Sequence, residues 1–248
     1  MNMLIVIGLI ILGWLSATII NYLADVLPYT RRFSRPPCLA CGAGWSWQHY
    51  LLMRACPACG QRRSLRTWAV YILAIAATLA IAFFPAQRLS FWAGWLLLTY
   101  FGVVGVIDIE HRLILHPVSL FGVGLGAVYG LWLHGWQTTL LGGATGFLIM
   151  LILYWLGGLF AKGLAKMRGQ QIDEVALGFG DVNFSGVLGL ILGWPGITAG
   201  LLGAILLGGL GSLLVLLSML FTRRYQAFVA IPYAPFLILS AVLLLFRP

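Results

Sequence analysis

Residues 91–108 read FWAGWLLLTYFGVVGVID: seventeen residues without a charge, then an aspartate. A helix that crosses hydrocarbon needs about 20 such residues, so this stretch reads as a membrane span that ends on Asp108. An ionisable group at the edge of hydrocarbon is costly, which makes it a functional candidate. The pattern recurs at Gly178-Phe179-Gly180-Asp181, just ahead of another apolar run, in a chain with only six acidic residues. Two carboxylates placed this way suggest a pair that activates water.

Composition widens the same reading. The chain is 61% hydrophobic and 8% charged, with a mean hydropathy of +0.99. That excludes an ordinary soluble domain and predicts an all-α polytopic membrane protein. Apolar runs fall at about 3–24, 68–84, 90–107, 117–134, 137–160, 176–194, 196–221 and 226–246, giving about eight transmembrane helices. The first run lacks a basic stretch before it and a small-residue cleavage site, so it reads as a retained helix. The expected organisation is a first helix at 1–27, a loop at 28–67 and a seven-helix membrane domain at 68–248.

The charges orient these spans. With the loop 28–67 placed in the cytoplasm, Arg31, Arg32, Arg35, Arg54, Arg62, Arg63 and Arg66 lie on that side. Eight spans then bring Arg112, Lys162, Lys166, Arg168, Arg223 and Arg224 to the same face. Only Arg88 and Arg247 of the fifteen basic residues face the other way. Cytoplasmic loops carry such an excess of Lys and Arg, so both termini are expected outside. The net charge of +9 is therefore topological and does not point to nucleic acid. All six acidic residues, Asp25, Asp108, Glu110, Asp173, Glu174 and Asp181, fall on the cytoplasmic half. The two membrane-edge aspartates thus share one face.

All four cysteines lie in the loop, as Cys38-Leu39-Ala40-Cys41 and Cys56-Pro57-Ala58-Cys59. Two C-x2-C knuckles can complete a tetrahedron of thiolates, the zinc-ribbon pattern. Gly42 and Gly60 each follow a second cysteine, where a knuckle favours positive φ. Two disulfides are the competing reading, disfavoured by a reducing cytoplasm. Four thiolates leave no open position, so Zn2+ would be structural. The arginines of this loop could also touch anionic membrane lipids.

These features together resemble the type IV prepilin peptidase family, the prepilin leader peptidase/N-methyltransferases. The resemblance rests on Gly13-Trp14-Leu15-Ser16 with Asn21 and Leu27-Pro28, the cysteine loop, Ile107-Asp108-Ile109-Glu110-His111-Arg112-Leu113-Ile114, Gly178-Phe179-Gly180-Asp181-Val182, and Ile231-Pro232-Tyr233-Ala234-Pro235-Phe236. It implies a multi-pass aspartic protease of the bacterial cytoplasmic membrane. Such an enzyme removes the basic leader from prepilins or pseudopilins at the cytoplasmic face, and many members methylate the new N-terminus with S-adenosylmethionine. By motif, Asp108 and Asp181 are the catalytic pair, and Gly178 and Gly180 support them. The chain departs from the family pattern at Leu115-His116, where a Pro-Asp pair is usual, at Asn183 in place of Lys, and at Val26 in place of Arg.

Other residues invite blander readings. Gly178 and Gly180 would let extended substrate approach Asp181, or would be ordinary packing glycines. His111 shares a helix face with Asp108 and reads as interfacial, as does His134. Pro232 and Pro235 would break the last span. Asp173-Glu174 could meet a basic leader. Two other functions fit a pair of membrane aspartates, a proton-coupled transporter and a presenilin-like intramembrane protease. The transporter would place its acids nearer the midplane, and the cysteine loop and spread of motifs speak against the second.

Overall fold

The computed structural model describes residues 3–38, 40–168, 177–222 and 232–246. The acidic pair Asp173-Glu174, the basic residues Arg223, Arg224 and Arg247, and Ile231 lie outside the described residues, as do the side chains of Lys162, Lys166 and Arg168.

The elements are α1 (Met3–Thr30), α2 (Trp47–Leu51), α3 (Leu65–Phe83), α4 (Phe91–His111), α5 (His116–His134), α6 (Trp136–Arg168), α7 (Phe179–Leu192), α8 (Gly196–Phe221) and α9 (Ala234–Leu245). No strand occurs among the described residues; Pro37 and Gly44 form an isolated antiparallel bridge. Every apolar run of the sequence carries a helix. Six are long and apolar enough to cross a membrane: α1, α3, α4, α5, the 136–160 part of α6, and α8. Their outward faces are apolar, with Ile72, Val128, Phe160, Leu206 and Leu214 all exposed. That surface suits lipid as solvent and is hard to reconcile with water.

The two remaining apolar helices are shorter, α7 with 14 residues and α9 with 12. At 1.5 Å per residue α7 reaches about 21 Å, short of a hydrocarbon core of about 30 Å. It is buried instead: Val182, Phe184, Val187 and Ile191 have no exposed surface. The prolines expected inside the last span sit at its described start. Pro232 precedes α9 and Pro235 falls in its first turn. A missing N–H costs nothing there, because the first helical N–H groups have no intrahelical acceptor.

The chain divides into two compact units, Met1–His111 with Phe246–Pro248, and Arg112–Leu245. In the first, α1 packs on α3 and α4. Gly13 makes the close crossing possible: a Cβ there would stand 2.6 Å from the Cα of Ile75. Polar side chains tie the same faces, Ser16 Oγ to Thr99 Oγ1 at 2.9 Å and Thr18 Oγ1 to the Tyr71 hydroxyl at 2.9 Å. Such bonds inside hydrocarbon each contribute about 0.6 kcal/mol.

In the second unit α7 lies against α5 and α6. Gly142 of α6 and Gly189 of α7 face one another so closely that a Cβ on either would overlap the other's backbone. Without a hydrophobic drive between helices in lipid, this small-residue contact is what lets dispersion hold them. On α8 and α9, Ser240 Oγ donates to the Gly200 carbonyl at 2.7 Å.

Candidate functional site

The cysteine loop is built by two knuckles with the same backbone pattern. Cys38 N–H donates to the Ala43 carbonyl at 2.8 Å, and Gly42 N–H returns to the Cys38 carbonyl at 2.8 Å. In the second knuckle Cys56 N–H donates to Gln61 at 3.0 Å and Gly60 N–H to Cys56 at 2.8 Å. Gly42 and Gly60 take φ of 72° and 71°, the left-handed conformation these turns require.

The knuckles bring all four sulfurs within 4.8 Å of one another. Cys38 Sγ lies 3.7 Å from Cys59 Sγ, and Cys41 Sγ lies 3.8 Å from Cys56 Sγ. Metal–sulfur bonds of about 2.3 Å in a tetrahedron give sulfur–sulfur edges of about 3.8 Å, whereas a disulfide needs about 2.05 Å. The thiols are free, and the set can hold a metal ion. The four do not ionise alike. Burial opposes the Cys38 thiolate, but the backbones of Cys41 and Ala40 and the neighbouring thiols hold its pKa down to about 6. Cys59 accepts a favourable bond from the Gln61 backbone, yet the thiols of Cys41, Cys38 and Cys56 help push it up to about 12. Crowded thiols share negative charge poorly, and a bound cation relieves that conflict.

The loop has a small core of its own. Cys38, Trp45, Tyr50 and Cys56 are buried together, with Tyr22 of α1 packed against them. Beneath it sits Asp25 of α1, only 5% exposed. The Tyr50 hydroxyl donates to Asp25 Oδ2 at 2.8 Å. Arg63 Nη1 stands 3.6 Å from the same carboxylate, and Arg66 Nη2 donates to its Oδ1. The Arg63 guanidinium also lies over the rings of Trp45 and Tyr50, at 4.2 and 3.9 Å. Burial and the Asp25 charge together drive the Tyr50 hydroxyl well above the usual phenol range, so Tyr50 is held neutral. Sequence reading placed Asp25 with the other acids of that face and gave it no role. The available signal was an acid five residues from the helix end, ahead of a loop rich in arginine.

Asp108 is buried in the last two turns of α4, in the first unit. Asp181 belongs to the second unit, in the first turn of α7. Gly178 precedes that helix, and its N–H donates to Asp181 Oδ2 at 3.1 Å while Asp181 N–H donates to the Gly178 carbonyl at 3.0 Å. An anion is well placed at this positive end of a helix. A Cβ on Gly180 would stand 3.0 Å from Ile114 Cβ, so its smallness admits the backbone at Ile114. His111 packs edge-on against Tyr29, with ring centroids 5.4 Å apart.

Within the second unit lies a groove of about 950 Å³, lined on the α7 side by Phe179, Asn183, Gly186, Val187 and Leu190. Its walls include His116, Pro117, Ser119, Phe147, Phe179, Asn183 and Val187. It is mainly apolar, with a few polar groups, as sites for extended apolar ligands are.

Comparison with known proteins adds one positive finding. A family model described as the type IV leader peptidase family matches residues 94–246. The match takes in both aspartates and leaves out the cysteine loop. No curated protein matches the chain, and no solved structure does.

Proposed function

The chain belongs to the type IV leader peptidase family, and on that premise we propose that Asp108 and Asp181 are the catalytic carboxylates of a membrane aspartic endopeptidase. Its substrates are prepilins or pseudopilins, cut at the cytoplasmic face of the bacterial inner membrane. The observation that carries this reading is the family match over residues 94–246, which encloses both aspartates.

The chemistry follows from carboxylates that share one proton. The ionised member takes a proton from water, and the water oxygen attacks the scissile carbonyl. The protonated member donates a hydrogen bond to the carbonyl oxygen as negative charge develops there. No acyl-enzyme forms. The Gly178 N–H at the start of α7 holds one oxygen of the Asp181 carboxyl in place. The groove along α5, α6 and α7 suits an apolar segment of a substrate cut at the membrane boundary.

The four cysteines fit structural zinc by distance and by donor chemistry. Bound there, the ion would hold the loop folded and take no part in the reaction, since no position is open. The organisation into a first helix (1–27), a metal loop (28–67) and a catalytic membrane domain (68–248) belongs to the same proposal, with the loop on the cytoplasmic side. Transfer of a methyl group from S-adenosylmethionine to the new N-terminus is a second, separable activity.

Purified protein incubated with a prepilin tests the reading. Leader loss is expected from the wild type and from neither Asp108→Ala nor Asp181→Ala; cleavage at the wild-type rate by either variant refutes it. Labelled S-adenosylmethionine in the same reaction decides methylation, since cleaved but unlabelled product restricts the enzyme to proteolysis.

A further inference from the structure

We propose that Arg66 is a positioning residue for Asp108, and that through it the folded cysteine loop sets the end of α4. The inference rests on the reading of Asp108 as catalytic. Asp108 and Glu110 lie two residues apart near the C-terminus of α4. Both carboxylates stand at the end of a helix where the unsatisfied carbonyls are already negative, and both oppose that dipole. The chain leaves α4 at once, through Arg112 at φ 52°. Ile109, between the two acids, is 60% exposed and supplies little packing. Glu110, beyond the buried Asp108, is gripped from another helix.

Arg66, in the first turn of α3, supplies the grip. Its Nε stands 3.1 Å from Glu110 Oε1, and its Nη1 donates to Oε2 at 3.2 Å. The Nη1 hydrogen bond and the close approach of Nε together locate the Glu110 carboxylate. The remaining arm of the same guanidinium, Nη2, donates to Asp25. Asp25 accepts from Tyr50, and Tyr50 shares a buried cluster with Cys38 and Cys56. One chain of contacts thus runs from the metal-ligating knuckles through Tyr50, Asp25, Arg66 and Glu110 to the turn that carries Asp108. The Arg66–Glu110 pair is partly exposed and adds little to stability. Its work is geometric, and misplacing a catalytic group by about 1 Å can cost about a hundredfold in rate.

The test uses the full chain in detergent with a prepilin substrate, and the variants Glu110→Gln, Arg66→Gln, their double, Arg66→Lys and Asp108→Ala. Glu110→Gln leaves the Asp25 contacts intact, so it separates positioning from folding of the loop. We expect kcat to fall by about tenfold or more in each Gln variant, with KM within about twofold, on the scale set by misplaced catalytic groups. The double variant should be no slower than the slower single, because both changes break one link. Arg66→Lys should recover little, since an ammonium cannot reproduce the fork. Hydrogen exchange of the amides of Asp108–His111 should quicken in Glu110→Gln while bound metal stays unchanged. Wild-type kcat and exchange in Glu110→Gln, beside an inactive Asp108→Ala, would overturn the positioning role and leave the catalytic reading standing. Losses that multiply in the double variant would overturn it too. An active Asp108→Ala would instead remove the catalytic reading, and this inference with it.

Discussion

Replacing Cys56 with serine removes one of four sulfurs from a set spaced for a single ion. Two edges of that set, 3.7 and 3.8 Å, match a tetrahedron with metal–sulfur bonds of about 2.3 Å. Structural zinc sites of this kind bind with about 10–16 kcal/mol of apparent free energy at neutral pH. Shared evenly over four ligands, that is about 2.5–4 kcal/mol per thiolate, or about 60- to 700-fold in affinity at 1.4 kcal/mol per decade. Cys56 is buried beside Trp45 and Tyr50, so a serine there also leaves a hydroxyl in an apolar cluster. The assay is a competition titration of reduced, metal-free protein against a chelator of known zinc affinity. The wild type should take up one zinc per chain, and Cys56→Ser should bind weaker by the factor above. X-ray absorption of the loaded wild type should report four sulfur neighbours near 2.3 Å. Reduced wild type that takes up no zinc, or a Cys56→Ser variant with unchanged affinity, would refute the four-thiolate reasoning.

Three further outcomes follow from the packing and the buried network. Gly189→Val forces a branched side chain into the backbone of Gly142, and overpacking of that kind costs about 1–3 kcal/mol. Its thermal midpoint in detergent should drop by several degrees, whereas Gly8→Val, with open space around it, should not move; equal midpoints would show that α6 and α7 do not cross here. Asp25→Ala leaves the Tyr50 hydroxyl and two guanidinium groups without their carboxylate, a loss of about 3–5 kcal/mol for a buried pair. Trypsin should then cut rapidly within residues 31–66, and unchanged resistance would remove Asp25 from the account. Tyr50 gives a pH test of fixed sign. Its hydroxyl is raised in the folded loop, so the stabilisation is whole below the ordinary phenol value of about 10 and is lost as pH climbs above it. Protease resistance of the loop should therefore hold to about pH 10 and decline beyond, and Tyr50→Phe should flatten that decline; resistance that falls with acid instead would show the sign to be wrong.

Much of the site was legible because its signals are local. The knuckle glycines and cysteine spacing dictate turns of a few residues, and Gly42 and Gly60 adopt the φ that their positions demanded. The aspartates stand out as candidates by cost, each being a charge at an apolar edge. Asp25 was also a charge at an apolar edge and went unread, because its partners Tyr50, Arg63 and Arg66 lie 25 to 41 residues away. Gly180 shows a different limit. Its neighbour in space is Ile114, and nothing in Gly178-Phe179-Gly180-Asp181 says what a missing Cβ makes room for.

The sequence by itself determined the class of the protein. Apolar runs in lipid must satisfy their own backbones, so each had to become a helix, and each did. It also determined the set of four cysteines that could hold a metal ion, since two knuckles of fixed spacing carry their own geometry. Tertiary structure alone decided that α7 is a short helix buried between neighbours, that Gly142 and Gly189 meet, and that one arginine ties Asp25 to Glu110. These are contacts between segments distant along the chain. Hydropathy records how a residue prefers its solvent, and it carries no information on which partner replaces that solvent.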